Sequence, residues 1–170
     1  MEPLHRDRGF TLIELLIVVG IIGLVASIAI PGLFRARLSA NEASAIESIR
    51  AVHSSNVVYN SVCGGYAVLL DTLLNNQFLP KPLQGSPALK SGYRINLVAG
   101  NGAIAAGVGT GMCVGAQTGF YSTATPISAA TGTRSFSLRE NGTVFTALSG
   151  VEIPDSPTGP VLNADVSLLQ

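Results

Sequence analysis

Between residues 15 and 30 the only polar side chain is Ser27, and that run constrains this chain more than anything else in it. Counted from Leu12 to Ile30 as a helix it is about 28 Å long, the thickness of the hydrocarbon of a bilayer. Residues 10–30 are therefore expected to span a membrane. Glu14 is out of place there, a carboxylate just inside the apolar stretch. A charge at mid-bilayer costs on the order of 3 kcal/mol, and less near the edge. A partner that neutralises Glu14 is thus the first functional question.

The residues in front of the run set its direction. Arg6 and Arg8 lie in a short polar leader with Glu2 and Asp7, and basic residues tend to stay on the cytoplasmic side while the bulk of the chain crosses. A conventional secretory signal is the competing reading, because Ala26, Ser27 and Ala29 offer small residues to a signal peptidase. Against it stand the acidic residue inside the apolar segment and a helical pattern that continues beyond Pro31.

Arg8-Gly9-Phe10-Thr11-Leu12-Ile13-Glu14, then an apolar helix interrupted by Pro31, resembles the prepilin signal of type IV pilins and type II secretion pseudopilins. The likeness runs without a gap through Gly9 to Glu14 and extends to about Arg50. The resemblance implies that residues 1–9 are a leader, cut between Gly9 and Phe10 by a prepilin peptidase, and that Phe10 is then N-methylated. It implies that Glu14 serves assembly by meeting the Phe10 amine of a neighbouring subunit. Cutting after Gly9 creates a positive amine four residues from Glu14, so a charge pair becomes available only after processing. Pairing within one helix at that spacing is the simpler alternative. The resemblance does not separate pilus from pseudopilus.

Beyond the span the pattern changes. Leu38, Ala45, Ile49, Val52, Tyr59 and Cys63 fall on one helical stripe, interrupted by Asn56, with Arg37, Glu47, Ser54 and Ser55 around the other side. Residues 41–45 read as polar helix surface. One helix is expected from Phe10 to about Val62, amphipathic over residues 31–63. Pro31 lacks an amide hydrogen and Gly32 is a poor helix former, which predicts a kink or a melted segment over residues 23–32. Gly20 and Gly23 would let neighbouring helices approach closely, or are simply tolerated.

Residues 64–170 are expected to form a globular head. Cys63-Gly64-Gly65 ends the helix, and residues 68–74 read as a short helix. Residues 80–90 read as a loop. The alternation in Tyr93-Arg94-Ile95-Asn96-Leu97 predicts a half-buried strand, and residues 120–125 another. The glycine-rich stretch 99–119 reads as a loop with room for a strand over 103–108. Asn141-Gly142 predicts a two-residue hairpin turn that sets Leu138 opposite Phe145 and Phe136 opposite Ala147, all on one face. The fold class is α+β: a long helix packed on an antiparallel sheet of three to four strands. The tail from Pro154 reads as extended and poorly ordered. Lys90-Ser91-Gly92-Tyr93, residues 119–126 and residues 132–136 also resemble the globular part of some bacterial pilin-like proteins. The even pair Cys63 and Cys113 in an exported segment favours one disulfide over two buried thiols.

Little here supports catalysis. His53 is the only histidine outside the leader, and no HExxH, GxSxG or CxxC pattern occurs. The run Gly107-Val108-Gly109-Thr110-Gly111 lacks the lysine of a phosphate loop. Asp155, Asp165 and Glu152 are too sparse for a calcium site, and Asn141-Gly142-Thr143, formally a glycosylation sequon, is explained by its turn. Formal charge is zero, with ten basic and ten acidic residues, so nucleic acid is not expected as the main partner; Lys90, Arg94, Arg134 and Arg139 are the surface cations it would use. No cofactor or metal is expected.

The sequence thus points to a structural protein. The resemblance implies a homo-oligomeric helical filament, served by a prepilin peptidase, a platform protein and an assembly ATPase. The subunit would wait in the bacterial inner membrane and end in an extracellular pilus or a periplasmic pseudopilus. The alternatives are a type II secretion pseudopilin and a membrane-anchored binding module that never polymerises.

Overall fold

The structure is a computed structural model that describes residues 9–106, 111–148, 150–156, 159–160 and 166–169. Residues 1–8, all of the expected leader but Gly9, lie outside this set, as do Val108, Pro157 and Asp165. The chain divides into two compact units, residues 1–36 and 37–170.

Helix α1, Leu12–Cys63, carries Pro31 inside it. Residues 23–32 are helical throughout, so the melted segment expected there is not observed. Proline removes one amide donor but leaves the flanking turns intact, and an apolar surrounding gives a backbone little else to bond to. In the first unit no described residue is buried. Phe10, Leu12 and Ile28 are 79%, 80% and 76% exposed.

The second unit begins with helix residues 37–63 and is built around their apolar stripe. Ala45, Ile49, Val52 and Tyr59 are buried against the inner face of an antiparallel sheet. The sheet runs β1 (Ala88–Lys90), β2 (Tyr93–Ala99), β3 (Phe120–Pro126), β4 (Ser135–Arg139), β5 (Val144–Ala147) and β8 (Val166–Leu168), each strand bonded to the next. Two-residue strands β6 (Asp155–Ser156) and β7 (Gly159–Pro160) pair with each other. The sheet has six strands where three to four were expected. β1 hides in the segment read as a loop, and β8 lies in the tail read as poorly ordered.

β2 alternates as its sequence predicts: Tyr93, Ile95 and Leu97 are buried, Arg94 and Val98 are exposed. The other inner-face residues are Phe120 and Ala124 on β3 with Phe136 and Leu138 on β4. Short helix α2, Leu70–Asn75, adds Leu70 and Leu73 to this core. The expected strand over 103–108 is reduced to a single bridge between Ala105 and Gln117.

The β4–β5 hairpin exists in a different register. Leu138 faces Val144 and Phe136 faces Thr146, while Ser137 faces Phe145. The cause is the turn. Gly142 N–H bonds to Arg139 C=O at 3.0 Å, and Gly142 has φ +77° whereas Asn141 does not enter the left-handed region. That is a type I turn followed by a left-handed glycine, one residue longer than the turn expected from Asn-Gly. Asn141 Oδ1 instead accepts the Thr143 N–H at 3.0 Å. A slip of one residue sends Phe145 to the opposite face.

Part of the outer face of the sheet, over β3 and β4, is also covered. Residues 150–156 cross it as a strap: Tyr121 Oη donates to Ile153 C=O at 2.6 Å, and Thr123 Oγ1 donates to Glu152 at 2.9 Å. Arg139 Nε lies 3.4 Å from Asp155, whose other oxygen accepts the Asn101 N–H. Burial pushes the Tyr121 hydroxyl up to about 12. The first part of the tail is therefore packed, not free.

Candidate functional site: the start of helix α1

The sequence features that carry chemistry gather at Gly9 to Glu14, and local geometry explains two of them at once. Thr11 precedes the first helical residue. Its N–H and its Oγ1 both donate to Glu14 Oε2, at 3.0 and 2.6 Å, while the Glu14 N–H donates to Thr11 Oγ1 at 3.2 Å. This reciprocal arrangement is a capping box, in which two of the otherwise unpartnered amides at a helix start are satisfied by side chains three residues apart. Sequence reasoning assigned Glu14 to assembly and overlooked the box. The signal was legible, because Thr-x-x-Glu directly before an apolar run is its signature. Glu14 thus has a role within its own helix before any partner arrives. Both bonds fall on Oε2, leaving Oε1 outside the box.

Gly9 and Phe10 are exposed and precede the helix. Behind them follow about six turns of exposed, mostly apolar surface through Phe34. A Cβ built on Gly20, Gly23 or Gly32 would meet nothing, so no packing within this chain demands glycine there. The helix is long and apolar enough to cross a membrane.

The second unit holds the other singled-out residues. Cys63 and Cys113 form a disulfide, with Cα atoms 5.3 Å apart. It closes a 50-residue separation between the end of α1 and a short turn at Gly111–Cys113, a constraint of roughly 4 kcal/mol at most on the unfolded chain. Asn56, which interrupts the stripe, is fully buried and clamps the backbone of Ala67. Its Nδ2 donates to Ala67 C=O at 2.9 Å, and its Oδ1 accepts the Ala67 N–H at 2.8 Å. Ser55 is likewise buried and donates to Phe78 C=O, a correction to its placement on the polar side.

Residues 41–45 are more than polar surface. Glu42 is 7% exposed and accepts from Arg134 Nε at 2.9 Å, from Arg134 Nη2, and from Thr133 N–H and Oγ1. Burial works against its charge, but the hydrogen bonds from Arg134 and Thr133 outweigh it and hold the carboxyl below its ordinary range. Asn41 Nδ2 donates to Thr131 C=O. Together these latch the helix to the β3–β4 loop. Gly132 is obligatory there, since a Cβ would sit 2.0 Å from Tyr93 Oη, which donates to Arg134 C=O.

The remaining candidates are structural. His53 Nε2 lies 3.2 Å from Glu140 C=O, and its ring packs 6.0 Å from Phe120. Of the four surface cations, Arg134 pairs with Glu42, Arg139 sits between Glu140 and Asp155, and Lys90 bonds to Ser48. Only Arg94 stays exposed without an ion pair among the described residues, so they form no common basic surface. Among those residues no group of three acidic, histidine or cysteine side chains is placed to hold a metal. Residues 107–110 of the glycine-rich run lie outside the described set.

Comparison with known proteins bears on this N-terminus. Residues 4–30 match the family model described as the prokaryotic N-terminal methylation motif. The N-terminal segment carries that motif and is similar to those of a type IV major pilin and of type II secretion system core proteins. The chain is 33% identical over 96 residues to the type IV major pilin protein PilA of Myxococcus xanthus, covering 56% of this chain and 40% of that one. It is 31% identical over 85 residues to the type II secretion system core protein G of Pectobacterium carotovorum, covering 50% and 46%. The corresponding protein of Vibrio cholerae is 31% identical over 85 residues, covering 48% and 58%. The chain thus spans about half the length of the relatives it matches. No solved structure matches it.

Proposed function

We propose that this chain is a structural subunit of a type IV pilus-like filament, cut between Gly9 and Phe10, N-methylated at Phe10, and polymerised through the first half of helix α1. The observation that carries this reading is a surface. Every described residue from Gly9 to Arg37 is exposed or half-exposed, nearly all of them apolar until Phe34, and the surface is led by one carboxylate. A surface of that kind has two suitable environments, a bilayer and a bundle of its own copies. Lipid and helix bundle are alike in polarity, so packing and specific polar contacts decide between them. The Phe10 amine released by cleavage supplies such a contact for Glu14 of a neighbour, taking the carboxylate from its capping box or sharing it through Oε1. A single heterologous contact repeated by rotation and rise yields an open polymer.

The role is structural rather than catalytic, a reading supported by likeness to proteins named as a major pilin and as a secretion-system core protein. Processing falls to a prepilin peptidase, and extraction from the inner membrane to a platform protein and an assembly ATPase. The product is an extracellular pilus. Two measurements test this. The mass of the mature chain is expected to correspond to a methylated Phe10 start; a start near Ile30 overturns the reading in favour of a secretory signal. Electron microscopy of sheared surface material is expected to show long filaments of this chain. Short envelope-confined filaments seen only on overproduction would assign it to a secretion pseudopilus instead, and monomers alone to an anchored binding module. Glu14→Ala should leave a processed, membrane-inserted subunit with little filament.

A further inference from the structure

The apolar half of helix α1 is bounded by charge at both ends. Between Leu15 and Asn41 there is no acidic residue, and the only basic ones are Arg35 and Arg37. Arg35 follows Glu14 by 21 positions within the first unit, about 32 Å along a helix, and the hydrocarbon of a bilayer is about 30 Å thick. With Glu14 at the near edge, Arg35 stands at the far edge, level with the lipid phosphates, and Arg37 comes two positions later in the sequence.

The chain supplies neither arginine with a partner. Both are exposed, and neither is in an ion pair among the described residues. The positions three and four before and after each of them, where a helix would place an acidic neighbour, hold none. Glu42, the first carboxylate beyond them, is buried and taken by Arg134. The next, Glu47, is ten residues past Arg37, about 15 Å along the helix, farther than the screening length of about 8 Å at physiological salt. Orientation does not account for the pair either. Basic residues favour the cytoplasmic side, so two arginines on the exported flank work against the direction set by Arg6 and Arg8.

We infer that Arg35 and Arg37 bind the phosphates of anionic lipids in the far leaflet, so that the unassembled subunit is held by headgroup contacts as well as by its apolar span. The partner is a lipid of net negative charge, whose phosphate is not balanced by a cation of its own headgroup. A guanidinium suits it, being always charged and offering paired N–H donors to two phosphate oxygens. Phe34, next to Arg35 and 61% exposed, puts an aromatic ring at the same level. The inference rests on the membrane stage of the filament reading and extends it by naming the class of lipid. Contacts made in the bilayer are given up when the subunit leaves it, so lipid composition weights the balance between reservoir and filament.

The test uses the detergent-solubilised full chain carrying Arg6→Gln and Arg8→Gln, which removes the leader's own cations. It is titrated with phosphatidylglycerol and, separately, with phosphatidylcholine, and bound lipid is counted by native mass spectrometry. Phosphatidylglycerol is expected to bind more tightly by roughly fivefold per arginine, an advantage that Arg35→Gln and Arg37→Gln together remove while phosphatidylcholine binding stays as it was. Equal binding of the two lipids, or a preference that survives the substitutions, overturns the inference and leaves the filament reading standing. Displacement of the lipid by millimolar inorganic phosphate overturns it too, because it assigns the arginines to a free anion. Recovery of the chain in the soluble fraction of cells removes the membrane stage of the filament reading, and this inference with it. A second measurement uses depth. The chain contains no tryptophan, so Phe34→Trp places a single fluorophore beside Arg35. In vesicles of equal parts phosphatidylcholine and phosphatidylglycerol its emission should be quenched more by lipids brominated near the headgroup than by lipids brominated near the chain end. The reverse order, or no quenching by either, overturns the placement.

Discussion

Helix α1 is one element by hydrogen bonding and two by surroundings. From Leu12 to Ala36 no side chain is buried, although nearly every one is apolar. From Arg37 to Cys63 eight side chains are buried, and four of them are polar: Glu42, Ser48, Ser55 and Asn56. The half richer in hydrophobic residues is thus the half with no core. Burial follows the pattern of side chains and not their mean polarity. An all-round apolar helix offers no preferred face, whereas a striped one fixes its rotation against a sheet. The polar residues on that stripe add what apolar contact cannot, a defined set of backbone partners in the loops they hold.

That contrast can be broken by paired substitutions. Ile49→Ala, in the sheet-facing stripe, should lower unfolding stability of the detergent-solubilised chain by roughly 2–4 kcal/mol in denaturant titration. Ile21→Ala, chemically identical, should change it by less than about 0.5 kcal/mol; an equal loss from both would mean that the first half is also packed within the monomer. Asn56→Ala should cost about 2–3 kcal/mol, because it leaves the buried N–H and C=O of Ala67 without partners. Asn56→Leu should not rescue it, and rescue would show that the stripe asks only for apolar volume.

The latch sharpens the comparison through pH. Glu42 is held below its ordinary range in the folded state, so its contribution is fully present above its unfolded pKa, near 4, and is lost as pH falls through the lower folded value. Arg134→Met should cost about 1–2 kcal/mol at neutral pH and flatten that acid-side decline. An unchanged decline would assign it to other carboxylates. The smallest effect belongs to the capping box. Thr11→Ala should raise hydrogen exchange at the first turn of α1 by an amount equivalent to about 1 kcal/mol, with no change in the head.

Much of this was legible from residues alone. The apolar run, the stripe, β2, β3 and the disulfide all follow from periodicity or pairing that one sequence displays. What escaped has a physical pattern. Asn56, Ser55 and Glu42 read as impurities or surface because their partners, Ala67, Phe78 and Arg134, lie 11, 23 and 92 residues away. The hairpin register was lost to a backbone angle, since Asn-Gly serves two turns that differ by one residue. β1 and β8 are three residues long, too short for alternation to declare itself. The capping box was missed for a different reason: a motif with a familiar reading in assembly concealed a local one.

The six-stranded sheet ends on both sides in three-residue strands, β1 and β8. Short borders of this kind give an incoming strand almost nothing to zip onto, so copies of the head are kept from fusing by backbone hydrogen bonds. Any fibre this chain builds must then be held by side chains and by helices that are equally at home in lipid. A fibre held in that way is expected to release its subunits to detergent or to a bilayer more readily than one joined through its sheets.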